Sequence, residues 1–76
     1  MDLKSLEEAL IEGRFRGWYL NGGLLDDTLT IGKIAHGWEV YHSERGKKYY
    51  LKTFTNEDKA CQYFLDTIRG TDLTNM

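Results

Sequence analysis

One apolar stripe constrains this chain more than any other feature. Ala60, Cys61, Phe64, Leu65 and Ile68 recur at i, i+1, i+4, i+5 and i+8, the spacing of one face of an α-helix. A helix with a one-sided stripe must bury it against another element. The chain is 76 residues long, room for one small core and no second domain. Thr55-x-x-Asp58 has the shape of a capping box, and Glu57 and Asp58 stand where the helix dipole favours anions. Arg69 and Gly70 mark the carboxyl end, so a single domain is expected over 1–70 with a frayed tail at 71–76.

The elements that cover this stripe are legible upstream. Leu3, Leu6 and Leu10, widened by Ala9 and Ile11, predict a helix over 3–12, with Asp2 or Ser5 as cap and Gly13 as the C′ stop. The pattern then changes to alternation. Residues 14–20 read as a first strand ended by Asn21-Gly22-Gly23, and residues 28–34 as a second with Leu29 and Ile31 on one face. His36-Gly37 is the next turn. Trp38–His42 and Tyr49–Phe54 are two further strands, joined by a three- to five-residue hairpin loop in which Gly46 takes the positive φ. Trp38, Val40 and His42 share one face; Glu39, Tyr41 and Ser43 share the other. The expected fold class is α+β: an N-terminal helix, an antiparallel sheet of three to four strands, and a C-terminal helix packed on one sheet face. The other face is expected to be partly open, and a free sheet edge offers a route to a homodimer.

Composition removes several function classes. One cysteine excludes an internal disulfide framework. No stretch has the roughly 20 apolar residues of a membrane span. The acidic amino terminus, with Asp2, Glu7, Glu8 and Glu12, is unlike a signal peptide. The expected compartment is the cytoplasm. Net charge is −2, but it is unevenly spread: −3 over residues 1–30, +3 over 31–54 and −2 over 55–76. The hairpin is thus a mildly basic ribbon between acidic helices, short of the basicity of a dedicated nucleic-acid domain.

Few residues have the spacing of a reactive site. Cys61 lies in the apolar stripe and reads as core, not nucleophile. His36 and His42 are six apart, without the paired ligand spacing of a zinc site, so no metal and no cofactor are expected. The glycines form neither a phosphate loop nor a dinucleotide fingerprint, and there is no G-x-S-x-G, so catalysis is not expected. Arg14, Phe15, Arg16, Trp18 and Tyr19, and again Tyr41, Arg45, Lys47, Lys48, Tyr49, Tyr50 and Lys52, interleave bases with aromatics as single-strand binders do. The acidic net charge favours ordinary strands with solvated lysines instead.

The segment Trp38 to Gly46 places Glu44 and Arg45 side by side in a hairpin, flanked by Tyr41 and His42. Tyrosine and arginine are residue types that most often anchor protein interfaces. The run W-x-V-Y-H-S-E-R-G-x-K (Trp38 to Lys48) followed by F-x-x-E-D-x-A-C-x-Y-F (Phe54 to Phe64) resembles small immunity proteins of bacterial polymorphic-toxin systems. The resemblance covers 27 of the 76 residues, and His42 stands where the pattern usually has a second tyrosine. It implies a non-enzymatic protein that neutralises a cognate toxin by binding it. Tyr41, His42, Glu44 and Arg45, supported from below by Trp38, would then form part of the contact surface.

A second pattern is similar to the AP2-like arm-binding domains of phage-type integrases, which insert a three-stranded sheet into the DNA major groove. Gly37-Trp38, Gly46-Lys47 and Phe54 to Ala60 carry it. The acidic balance, and Glu39 and Glu44 on the would-be DNA face, depart from that pattern.

Overall fold

The computed structural model describes residues 1–74. The order is α1 (Leu3–Glu12), β1 (Trp18–Tyr19), β2 (Thr28–Ile34), β3 (Gly37–Glu44), β4 (Lys47–Phe54) and α2 (Glu57–Thr74). The strands form one sheet in the order β1-β2-β3-β4. This is the expected α+β plan, mostly antiparallel, with α2 packed across β2, β3 and β4 and α1 packed on α2. Among the described residues no helix is long and apolar enough to cross a membrane.

The apolar stripe does what its spacing requires. Ala60, Cys61, Phe64, Leu65 and Ile68 are buried with Leu6 and Leu10 of α1, Ile31 of β2 and Val40 of β3. Asp2 caps α1 by accepting from the Ser5 N–H at 2.8 Å. A polar contact adds to this packing: Glu57 Oε2 accepts from the Leu3 N–H at 2.9 Å. Helix α2 keeps its backbone conformation through Gly70 to Thr74, beyond the expected stop. The rest of the expected tail, residues 75–76, lies outside the described residues.

Several local expectations are corrected. The first strand is only Trp18–Tyr19, and it runs parallel to β2, with Trp18 opposite Leu29 and Tyr19 opposite Thr30. Arg14 and Gly17, at φ 57 and 71, turn the chain too sharply for pairing to begin earlier. The stop after α1 also differs: Gly13 stays at φ −77 and Arg14 takes the left-handed position. Gly13 instead provides room, since a Cβ there would lie 2.4 Å from the Phe15 ring. The cap of α2 is Asn56, whose Oδ1 accepts from the Lys59 N–H at 3.0 Å, rather than Thr55. The β3–β4 connection is two residues, not three to five. Arg45 and Gly46 both have positive φ, 52 and 78, the geometry of a tight hairpin turn whose twist matches the strands.

The face opposite the helices is not left open at its centre. The segment joining β1 to β2 lies across it, and Gly22 and Gly32 allow that close approach, with a Cβ on Gly32 falling 3.0 Å from Gly22 Cα. The Gly22 N–H donates to Ile31 O at 3.0 Å. Beneath the segment sit Tyr41, Thr28, Thr30 and Ser43, all buried. Ser43 Oγ donates to Leu25 O at 2.5 Å and lies 3.4 Å from Thr30 Oγ1. The centres of β2 and β3 are therefore covered on both sides, and β4 is the most exposed strand.

Candidate partner-binding surface

Strand β4 is exposed from Lys47 to Thr53, and only Phe54 is half-buried. At its centre the ladder is interrupted. His42 pairs with Tyr49 and Val40 with Lys52, so Tyr50 and Leu51 together stand opposite Tyr41, a β-bulge. Tyr50 sits at φ 58 and is 85% exposed. The left-handed position of such a bulge is ordinarily taken by glycine. A residue with a Cβ is less stable there by roughly 1–2 kcal/mol. Tyr49 and Leu51 are also exposed, and the Tyr49 and Tyr50 rings lie 6.4 Å apart.

Between this end of the sheet and the second half of α2 runs a groove. Its walls include His42, Glu44, Tyr49 and Tyr50 from the hairpin, Tyr63 from α2, and Arg16 from the loop before β1. Asp27 stands at its mouth. Because strand side chains alternate, His42 and Glu44 project together from β3 on the face of Leu29. His42 Nε2 lies 3.4 Å from Asp27 Oδ1 and 3.5 Å from Glu44 Oε1. The turn beyond is held in place by Asp26 Oδ1, which accepts from the Arg45 N–H at 2.9 Å.

The five residues expected at a contact surface do not form one cluster. His42 and Glu44 meet in the groove, and Arg45 is exposed at the hairpin tip. Tyr41 is 2% exposed; its hydroxyl donates to Gly23 O, and Lys48 Nζ sits 4.7 Å from its ring centroid. Burial pushes the Tyr41 phenol up from its ordinary value. Trp38 lies toward the other end of β3, on the opposite face from Tyr41, opposite Phe54 and under Lys33 Nζ at 4.3 Å. It therefore does not support Tyr41 from below. Lys48 is engaged as well, donating to Glu39 Oε2 at 2.8 Å, which holds the ammonium pKa above its ordinary value.

Cys61 is fully buried and its thiol is pushed up to about 11, chiefly by burial and then by the charge of Glu57. It is a core side chain with no route to a ligand. Asp27 is the member of the groove that sequence reasoning did not single out. The available signal was H-x-E on β3, which places His42 and Glu44 on one face; Asp27 arrives from the turn before β2, at φ 51, which no local pattern marks. The chain matches no protein-family model, no curated protein and no solved structure.

Proposed function

We propose that this chain is a non-enzymatic protein-binding module of the immunity type, which neutralises a toxin by gripping it with the bulged strand β4 and the adjoining groove. One observation carries the reading. Tyr50 is 85% exposed on a left-handed backbone. An aromatic ring so exposed buries little apolar surface in its own fold, and glycine would hold the same bulge with less strain. Tyrosine is among the residue types that anchor protein interfaces. Tyr49 and Leu51 extend the apolar surface, while Lys47 and Lys52 flank it with charge.

The lysines on β4 also suit a nucleic-acid backbone, but Asp27 and Glu44 at the groove set two carboxylates where phosphates would approach. A partner that contacts both the strand and the groove is better met by a protein surface of mixed charge.

The test uses the wild-type chain and Tyr50→Gly as baits in a bacterial lysate, with any captured protein repurified. The reading requires a one-to-one complex that survives about 0.5 M salt. Affinity should fall by about 30-fold or more in Tyr50→Gly, the scale of an interface anchor. Expression of the partner should arrest growth unless the wild-type chain is co-expressed. Recovery of nucleic acid released by salt, or a partner bound equally by both baits, overturns it.

A further inference from the structure

We propose that Asp27, His42 and Glu44 form a divalent metal site selective for a borderline transition ion of the zinc class. The inference does not depend on the protein-binding reading. It rests on donor chemistry and on separations. One imidazole nitrogen with two carboxylate oxygens is a mixed N/O set, which suits zinc and its neighbours, whereas magnesium and calcium prefer oxygen alone.

The separations fit the ion. Donors bound about 2.1 Å from a tetrahedral zinc stand about 3.4 Å apart. His42 Nε2 lies 3.4 Å from Asp27 Oδ1 and 3.5 Å from Glu44 Oε1. All three donor atoms lie within 4.8 Å of one another. The two imidazole–carboxylate separations match those of zinc ligands, and Asp27 and Glu44, both with exposed or half-exposed side chains, have room to close on a shared ion.

Strand β3 sets His42 and Glu44 on one face, and the turn before β2 brings in Asp27. Leu29 pairs with His42 and Thr28 with Ser43, and the turn residue just before β2, Asp27, at φ 51, brings its carboxylate to 3.4 Å from His42 Nε2. Three protein ligands around zinc leave a fourth position for water or an outside ligand. These three donors border the groove, from which that ligand would arrive.

Calorimetric titration of the full-length chain with zinc chloride, and separately with magnesium chloride, tests the site. One equivalent of zinc should bind and magnesium should not. Zinc should raise the melting temperature by mass action. Asp27→Asn, His42→Gln and Glu44→Gln, each checked for folding by circular dichroism, should weaken zinc binding by at least about tenfold, the loss that even outer-shell partners cause. His36→Asn and Cys61→Ala should leave it unchanged. In long-range nitrogen–proton spectra, the His42 Nε2 resonance should move on zinc addition and the His36 nitrogens should not. Absence of saturable zinc binding overturns the site. So does binding insensitive to Asp27→Asn, or binding lost in His36→Asn or Cys61→Ala.

Discussion

The Tyr41 hydroxyl donates to the carbonyl oxygen of Gly23 at 2.6 Å, tying the segment between β1 and β2 to the middle of the sheet. An aromatic ring buried to 2% exposure fills the space beneath that segment, and its one polar atom is satisfied by the backbone above it. Tyr41→Phe keeps the ring and loses the bond, with an expected cost of about 1 kcal/mol in urea unfolding. Tyr41→Ala also removes the ring, at about 3–5 kcal/mol, a large part of the stability of a domain this small.

Glycine requirements separate sharply between two turns. At Gly37, φ is +149 and a Cβ would stand 1.9 Å from Phe54 O, a backbone atom that cannot yield without breaking the β3–β4 register. At Gly46, φ is +78 but a Cβ would meet nothing within 4 Å. Gly46→Ala should therefore cost about 1 kcal/mol, the left-handed backbone strain alone. Gly37→Ala should exceed that several-fold or fail to fold, as circular dichroism and thermal melts would show.

Legibility of the fold followed the range of the interactions that set each part. Helix α1, strand β2 and the buried stripe of α2 depend on periodicity within a single segment, and all three were readable. The length of β1 was not, because pairing to β2 is decided by Arg14 and Gly17 at positive φ. Gly13 shows the same limit: its neighbour Phe15, folded back against it, decides its role. Of the groove, His42 was legible as a strand residue, but Glu44 read as part of the hairpin loop; it shares a face with His42 because β3 runs on to Glu44, and Asp27 reaches both from the turn before β2. The bulge that displays Tyr50 is invisible to alternation, since its sequence signal, a glycine, is missing.

The N-cap of α2 gives a direct contrast between two adjacent residues. Asn56 Oδ1 accepts from the Lys59 N–H at 3.0 Å, and Asn56 O accepts from the Ala60 N–H at 3.1 Å. Asn56→Ala should cost about 1 kcal/mol. Thr55→Ala should stay within about 0.5 kcal/mol, the range of surface substitutions away from such features. Equal losses in chemical denaturation would shift the cap to Thr55.

Cys61 predicts a pH dependence with a definite sign. Burial raises the thiol from its ordinary value of 9.0 to about 11 in the folded chain. The folded state thus holds its proton where the unfolded state has released it, and stability falls as pH rises through that interval. The contribution is complete below pH 9.0 and is lost by about 11. In Cys61→Ala this component is absent. The difference in unfolding free energy between wild type and variant should therefore be constant at neutral pH and should shift in favour of the variant above pH 9.0. Iodoacetamide should label Cys61 only as fast as the core opens.

Tyr50 separates stability from display. Its φ of 58 at the bulge places a Cβ in a conformation that glycine occupies freely. Its side chain is 85% exposed, so deleting it removes little packing. Relief of backbone strain is worth roughly 1–2 kcal/mol. Against this stands the greater chain entropy of glycine when unfolded, about 0.5–1 kcal/mol. The two terms leave Tyr50→Gly more stable than wild type by up to about 1.5 kcal/mol. Tyr50→Ala gains no relief and loses only the small contact with Tyr49, so it should be neutral or slightly destabilised. Urea titration of the three proteins would show the order Gly above wild type above Ala. If Gly falls below wild type, the ring contributes more to the fold than its exposure implies, and Tyr50 is then a structural residue of β4.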